Sequence, residues 1–328
     1  MQQTNQIKIR ILTLTLILGA ILMGVKFFAW YLTNSNAILT DAMESVVNVL
    51  AGAFALYSAY YATKPKDKDH PYGHGKIEFL SAGFEGGMIL LAGFAMFIKG
   101  IVAFLHRDEV GHADLGAYLS AIAGAVNFVM GRYLVKKGKE YHSPLMEADG
   151  KHLISDTVSS IGLVLGLAAI YFTGISWIDY IITLIFGGYI IYAGFKLVSE
   201  SVSNLLDKAD EEKIDRLVDL LNKHRREKWI DIHNLRVLKY GAHLHVDCHM
   251  TLPWYDPLEA SHEEVSLVEK LVRENMDQTI EFFIHADPCI PSSCPICTVS
   301  DCPYRKTAFT QKISWTEANL QPDEKHHL

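Results

Sequence analysis

Two runs in the apolar half of this chain carry ionisable side chains at the same spacing. The first reads Asp41-Ala-Met-Glu44-Ser-Val-Val-Asn48, the second Asp149-Gly-Lys-His152-Leu-Ile-Ser-Asp156. On helices, Glu44 and Asn48 project from one face a turn apart, and so do His152 and Asp156. One imidazole with oxygen donors around it is a ligand set for a divalent transition metal. Zn²⁺ suits it best, and Cd²⁺, Co²⁺, Fe²⁺ or Mn²⁺ are open. Ionisable groups at bilayer depth are costly and default to a functional role. The bland reading, hydrogen-bonded glue between helices, fits Asn48 better than a His–Asp pair. Hydropathy alone does not place Glu44 and His152 at one depth. Glu44 falls near the outer start of the second apolar stretch, and His152 near the inner start of the fifth.

Three further groups have ligand chemistry. The segment Asp67-Lys-Asp69-His70-Pro-Tyr-Gly73-His74-Gly75-Lys-Ile-Glu78 offers Asp67, His70 and His74 as a surface metal site, with glycines for tight turns. The polar half gathers His233, His243, His245, His249, His262 and His285 with Asp287. On a strand, residues 243, 245, 247 and 249 share one face. Finally, Cys289, Cys294, Cys297 and Cys302 put four thiols into fourteen residues, Cys248 standing apart. They read as a zinc or iron–sulfur centre in a reducing compartment, with a redox pair or no special role as alternatives. Glu85 is one more carboxylate in an apolar stretch; it lines a proton or water path or pairs with Lys99 or Lys26.

The elements that must position these groups follow from how apolar residues are distributed. The 328 residues are 50% hydrophobic with mean hydropathy +0.14, which by itself fits a soluble protein. Yet six stretches, about 7–32, 37–62, 79–105, 113–135, 145–173 and 177–199, are long enough to cross a hydrocarbon core about 30 Å thick. From Asp207 onward the chain is densely charged. The spacing predicts a helix near 210–226, strands near 232–240 and 242–252, a helix near 257–275 and a strand near 278–285. That αββαβ order fits a small two-layer α+β domain. The domains expected are therefore 1–206 in the membrane, 207–290 soluble, and a Cys-rich tail over 291–328 whose polar end is flexible.

Lysine and arginine sort onto one side. Lys8 and Arg10 precede the first stretch, Lys64, Lys66, Lys68 and Lys76 lie between the second and third, and Arg132, Lys136, Lys137 and Lys139 near the fourth-to-fifth connection. The alternate loops carry only Arg107, so both termini are expected in the cytosol. A net charge of −7 argues against nucleic acid as a partner. An intramembrane metalloenzyme would want a motif such as H-E-x-x-H, and His262-Glu-Glu-Val-Ser lacks the second histidine, so no enzyme is expected.

The helix 2 run, the loop His70-Pro-Tyr-Gly-His74-Gly-Lys76-Ile-Glu78, the His152–Asp156 run and Ile284-His285-Ala-Asp287-Pro-Cys289 occur in one order. Over about residues 7–290 they resemble the cation diffusion facilitator family, in particular its YiiP-type bacterial exporters of zinc and other divalent cations. The resemblance implies a homodimer in the bacterial inner membrane that exports a divalent cation against protons by alternating access. It implies a transport site of Glu44, Asn48, His152 and Asp156, which supplies the shared depth. It also implies a loop site of Asp67, His70 and His74, an interlock between Lys76 and Asp207, and a ferredoxin-like cytosolic domain. In that domain His233, His249, His262, His285 and Asp287 bind metal, so zinc acts as substrate and regulatory ligand. His243 and His245 have no counterpart. Helix 2 departs from the family, which usually has two aspartates, or a histidine and an aspartate, where this chain has Glu44 and Asn48. That leaves at most two carboxylates beside His152. It makes His152, with imidazole's ordinary pKa near 6.5, the proton-exchanging ligand. The cysteine tail lies beyond the family pattern. The competing reading is a membrane-bound sensor or store with the same ligands and no translocation.

Overall fold

The computed structural model describes residues 2–33, 36–106, 114–173, 177–276 and 279–328. The side chains of Asp41, Glu44 and Lys99, and the connections 107–113 and 174–176, lie outside the described residues. The chain forms two compact units, Met1–Leu206 and Asp207–Leu328.

The first unit is six long helices: α1 Gln2–Thr33, α2 Asn36–Ala62, α3 Ile77–His106, α4 Asp114–Glu140, α5 Pro144–Thr173 and α6 Trp177–Leu205. The shortest have 27 residues, about 40 Å at 1.5 Å per residue, enough to cross a bilayer. Several run beyond the apolar stretches by a turn or more, because a helix that leaves the hydrocarbon continues in polar residues that hydropathy cannot follow. Among the described residues, stretches apolar enough to span are Asn5–Phe28, Ser45–Ala62, Ile77–Val102 and Ile181–Leu205, in α1, α2, α3 and α6. Helices α4 and α5 each carry a charged segment. The first ends in Lys136, Lys137 and Lys139, and the second carries Glu147, Asp149, Lys151, His152 and Asp156. Large apolar side chains such as Leu14, Leu91, Val129 and Ile185 stand on the outer surface, where hydrocarbon rather than water must meet them.

Small residues let the helices approach. Helices pair as α3 with α6, α4 with α5 and α1 with α2. A Cβ on Gly194 of α6 would sit 2.6 Å from the Leu90 nitrogen of α3, and one on Gly150 of α5 would sit 2.7 Å from the Gly131 carbonyl of α4. Such close backbones are how membrane helices gain packing energy without a hydrophobic drive between them. Gly150 lies two residues before His152, so this contact fixes the helix that bears the site. Near their ends α1, α3 and α5 are joined by polar groups. Lys8 Nζ lies 3.5 Å from Glu78 Oε1, and the hydroxyl of Ser143 donates to Glu78 Oε2 at 2.6 Å. Lys8 is thus the buried partner of a carboxylate.

The second unit follows Asp207, whose φ of 59° ends the helical path. Helix α7 Glu211–Lys223 is capped by Asp210, which accepts from the Lys213 N–H at 3.3 Å. It buries Ile214, Leu217, Val218 and Leu221, one stripe at helical period. Strands β1 Asp231–Tyr240, β2 His243–Leu252 and β3 Thr279–Pro288 form a sheet in that order, antiparallel then parallel, with α8 Leu258–Asn275 preceding β3. In β2, Leu244, Val246, Cys248 and Met250 enter the core, which leaves His243, His245 and His249 on the opposite face. The elements expected from the sequence are all present. β3 runs on to Pro288, so it carries His285 and Asp287 as strand residues.

The polar end of the chain is not free, contrary to the expectation from its composition. Two apolar anchors decide this. Trp315 and Leu320 are buried in the core, Leu320 within the short helix α9 Glu317–Leu320. The Trp315 ring lies 3.8 Å under the Arg225 guanidinium, and Asn222 bonds the Trp315 backbone in both directions. Isolated anchors in a polar stretch have no periodicity to reveal them. Trp315→Ala should cost about 3–5 kcal/mol in the cytosolic unit. Limited proteolysis of the full-length protein should then show rapid cleavage after residue 305; unchanged resistance would refute the anchoring role.

Candidate metal sites

In the membrane unit, α2 and α5 bring three of the four residues together. The Asn48 amide donates through Nδ2 to Asp156 Oδ2 at 2.6 Å, and its Oδ1 lies 3.0 Å from His152 Nε2. His152 Nε2 is 3.8 Å from Asp156 Oδ1. A carbonyl oxygen only accepts, so with this amide orientation the proton between Asn48 and His152 sits on Nε2. Glu44 lies one turn before Asn48 on α2, its side chain outside the described residues. The three side chains meet because α2 and α5 pack together at this level, which apolar run lengths do not encode.

Glu85 of α3 is 1% exposed, and neither of its oxygens has a hydrogen-bond partner among the described residues. Asp149 of α5, one turn before His152, is a like charge close enough to act on it; the Lys99 side chain lies outside the described residues. Sequence reading quoted Asp149 without giving it a role. Its place three residues before His152 was the available signal.

Between α2 and α3 the loop folds around Asp67. Its Oδ1 accepts the backbone N–H of Asp69 at 3.0 Å and of His70 at 2.7 Å, an Asx turn. Gly73 closes the loop at φ 91°. His70 Nδ1 stands 3.1 Å from Asp67 Oδ1 and His74 Nε2 3.3 Å from Asp67 Oδ2, so three ligating atoms lie within 4.8 Å of one another. Donation from the His70 backbone, against some desolvation, holds the Asp67 carboxyl below its ordinary range. It therefore stays anionic at neutral pH.

In the cytosolic unit, register makes the site. His233 pairs with His249 across β1–β2, and His249 with His285 across β2–β3. Three imidazoles thus stand in a row across the sheet, with ring centres 5.1 and 4.8 Å apart. Asp287 is their hub. Its oxygens lie 3.4 Å from His233 Nε2, 3.5 Å from His249 Nδ1 and 3.4 Å from His285 Nε2. The chain end adds Asp323, which makes a compact trio with His233 and His249, and Lys325, 3.5 Å from Asp287. Sequence reading missed Asp323, since nothing in 305–328 marks where it docks. His262 stands exposed on α8, and no described contact joins it to the row. His245 faces Glu281 at 3.8 Å instead.

Beneath the row lies a second buried carboxylate. Asp231 Oδ1 meets His326 Nδ1 at 2.5 Å, and its Oδ2 accepts the His326 N–H at 3.0 Å, with His233 Nδ1 3.4 Å away. Burial would raise this carboxyl, but the hydrogen bonds from His233 and His326 outweigh it and hold its pKa at about 2. A depressed acid stabilises the fold above its unfolded value near 4, and that contribution is lost as pH falls through the folded value. About 2 kcal/mol of stability should therefore disappear between about pH 4 and pH 2. Chemical unfolding with EDTA present should show this loss, and Asp231→Asn should remove it; an identical pH slope in the variant would refute the assignment.

A bundle of six long apolar helices with Asn48, His152 and Asp156 gathered inside it, followed by a sheet domain with a histidine row, fits an integral membrane protein that handles cations. Residues 12–206 match the family model described as the cation efflux transmembrane domain, and residues 209–289 match that of the cation efflux protein cytoplasmic domain. The chain belongs to the cation diffusion facilitator family. It is 28% identical over 254 residues to the uncharacterized transporter sll1263 of Synechocystis, covering 77% of this chain and 82% of that one. It is 28% identical over 311 residues to metal tolerance protein C1 of Arabidopsis thaliana, covering 90% of this chain and 65% of the plant protein. To the cation-efflux pump FieF of Yersinia pestis it is 27% identical over 280 residues, 83% of this chain and 90% of that one.

Proposed function

We propose that this protein exports a divalent transition-metal cation from the cytosol in exchange for protons, by alternating access in a homodimer. Zinc is the first expectation, with iron, manganese, cadmium and cobalt as the other substrates of the same ligand chemistry. The observation that carries the reading is the Asn48 amide held between His152 and Asp156. His152 Nε2 holds a proton toward Asn48, and the same nitrogen faces the place where a cation would sit. A metal needs that lone pair, so when it binds the doubly protonated imidazolium it releases the Nε2 proton and leaves the other on Nδ1. Competition for one atom is the simplest device by which one gradient drives the other. Asp156 supplies the anionic ligand, Asn48 a neutral oxygen, and Glu44, one turn away, the second carboxylate. Relatives named as a cation-efflux pump and a metal tolerance protein agree with efflux.

Dimer formation falls to the cytosolic unit, whose histidine row binds regulatory metal, and the loop residues Asp67, His70 and His74 of the membrane unit form a separate metal site. The membrane is the bacterial inner membrane, with both termini inside. Proteoliposomes with an imposed pH gradient test the reading by comparing uptake of Zn²⁺, Fe²⁺, Mn²⁺ and Cd²⁺. Gradient-driven uptake of at least one is expected. Metal binding without uptake of any would favour the sensor or store.

A further inference from the structure

The match to the cytoplasmic-domain model ends at residue 289, where the cysteine segment begins. All four thiols, of Cys289, Cys294, Cys297 and Cys302, line one cavity of about 110 Å³. A water-sized occupant needs roughly 10–15 Å³ on this measure, so the space exceeds that of a single ion several-fold. The spacing of the sulfurs points the same way. Tetrahedral zinc at about 2.3 Å from each sulfur sets its thiolates about 3.8 Å apart. Among the described residues, the groups whose ligating atoms lie within 4.8 Å of one another are Asp67–His70–His74 and His233–His249–Asp323. No three of the four thiols form such a group, although all four face one space and all are free. A cubane cluster spreads its thiolates wider, because each binds a different iron.

The surrounding loop is built to stay open around this space. The Arg305 guanidinium donates to the carbonyls of Cys294, Cys297 and Val299 at 3.0, 3.2 and 2.5 Å. The N–H groups of Thr310 and Gln311 both reach the Pro295 carbonyl. These bonds brace the Pro291–Ile296 turn without using any sulfur. The Lys306 N–H points to Cys294 Sγ at 3.5 Å, the kind of backbone donor that tunes cluster sulfurs. Trp254 and Tyr304 line the cavity, and with Tyr255 they form an edge-on and tilted aromatic cluster whose ring centres lie 4.8–6.0 Å apart. Arg305 and Lys306 supply positive charge against four thiolates.

We propose that Cys289, Cys294, Cys297 and Cys302 ligate a [4Fe–4S] cluster in the cytosolic unit. The test is anaerobic purification of the full-length protein in detergent, followed by iron, acid-labile sulfide and zinc analysis. About four iron and four sulfide per chain are expected, with a broad visible band that dithionite bleaches. Cys294→Ser and Cys302→Ser should each remove iron, sulfide and band, and leave zinc bound elsewhere unchanged. Electron paramagnetic resonance of the reduced wild-type protein reports the cluster without any variant, should either substitution misfold. Stoichiometric zinc that the substitutions remove would overturn the proposal in favour of a single ion. Absence of both metals, even after reconstitution with Fe²⁺ and sulfide, would overturn it altogether.

Discussion

Replacing His152 with glutamine should abolish proton-coupled metal transport while leaving the membrane unit folded. Glutamine keeps a polar group of similar reach, so it can still bond the Asn48 oxygen that lies 3.0 Å from His152 Nε2. It offers no basic nitrogen to a metal and no proton to exchange. Removing the outer-shell support of a ligand costs about 10–100-fold in affinity; removing the ligand itself should cost roughly 100-fold or more in transport rate at limiting metal. The decisive readout is metal-dependent proton flux in liposomes. Persistence of that flux in His152→Gln would show that the exchangeable proton lies elsewhere, with Asp156 and Asp149 the next groups to test.

The second large effect is a gain. Asn48→Asp places a carboxylate where the amide now touches Asp156 at 2.6 Å. Two carboxylates at that distance cannot both ionise without a cation, so the variant site holds an extra shared proton when empty. A dication resolves the repulsion, and the added charge is worth several kcal/mol of attraction at an effective dielectric near 20. Metal affinity at alkaline pH should rise on the order of tenfold to a hundredfold. The gain should shrink as pH falls, because the metal must then displace one more proton. Calorimetric titration at two pH values checks both parts. Equal affinity to wild type at both would mean that Asn48 does not face the cation.

Much of this was legible in the residues, for reasons that can be named. Apolar run length is a direct record of bilayer thickness, so the six helices could be read, with errors confined to their wet ends. Period-two alternation in 243–249 placed three histidines on one strand face, and β2 shows that face. The meeting of Asn48, His152 and Asp156 was not in the spacing. It depends on where α2 meets α5, a helix that Gly131 and Gly150 hold against α4 through backbone contact. Nor was the docking of the chain end, which rests on Trp315 and Leu320 alone. Through it Asp323, Lys325 and His326 reach a histidine row that lies some 40–90 positions earlier in the chain. Pairwise register across a sheet joins residues far apart in sequence, and no local pattern announces it.

Export driven by a proton gradient requires that metal and proton exchange at one site. Proteoliposomes loaded with both a zinc-responsive and a pH-responsive dye, and given external zinc at zero membrane potential, measure both fluxes at once. The expected result is zinc entry with simultaneous proton exit at a fixed ratio, both lost in His152→Gln. Zinc entry with no change in internal pH would contradict it.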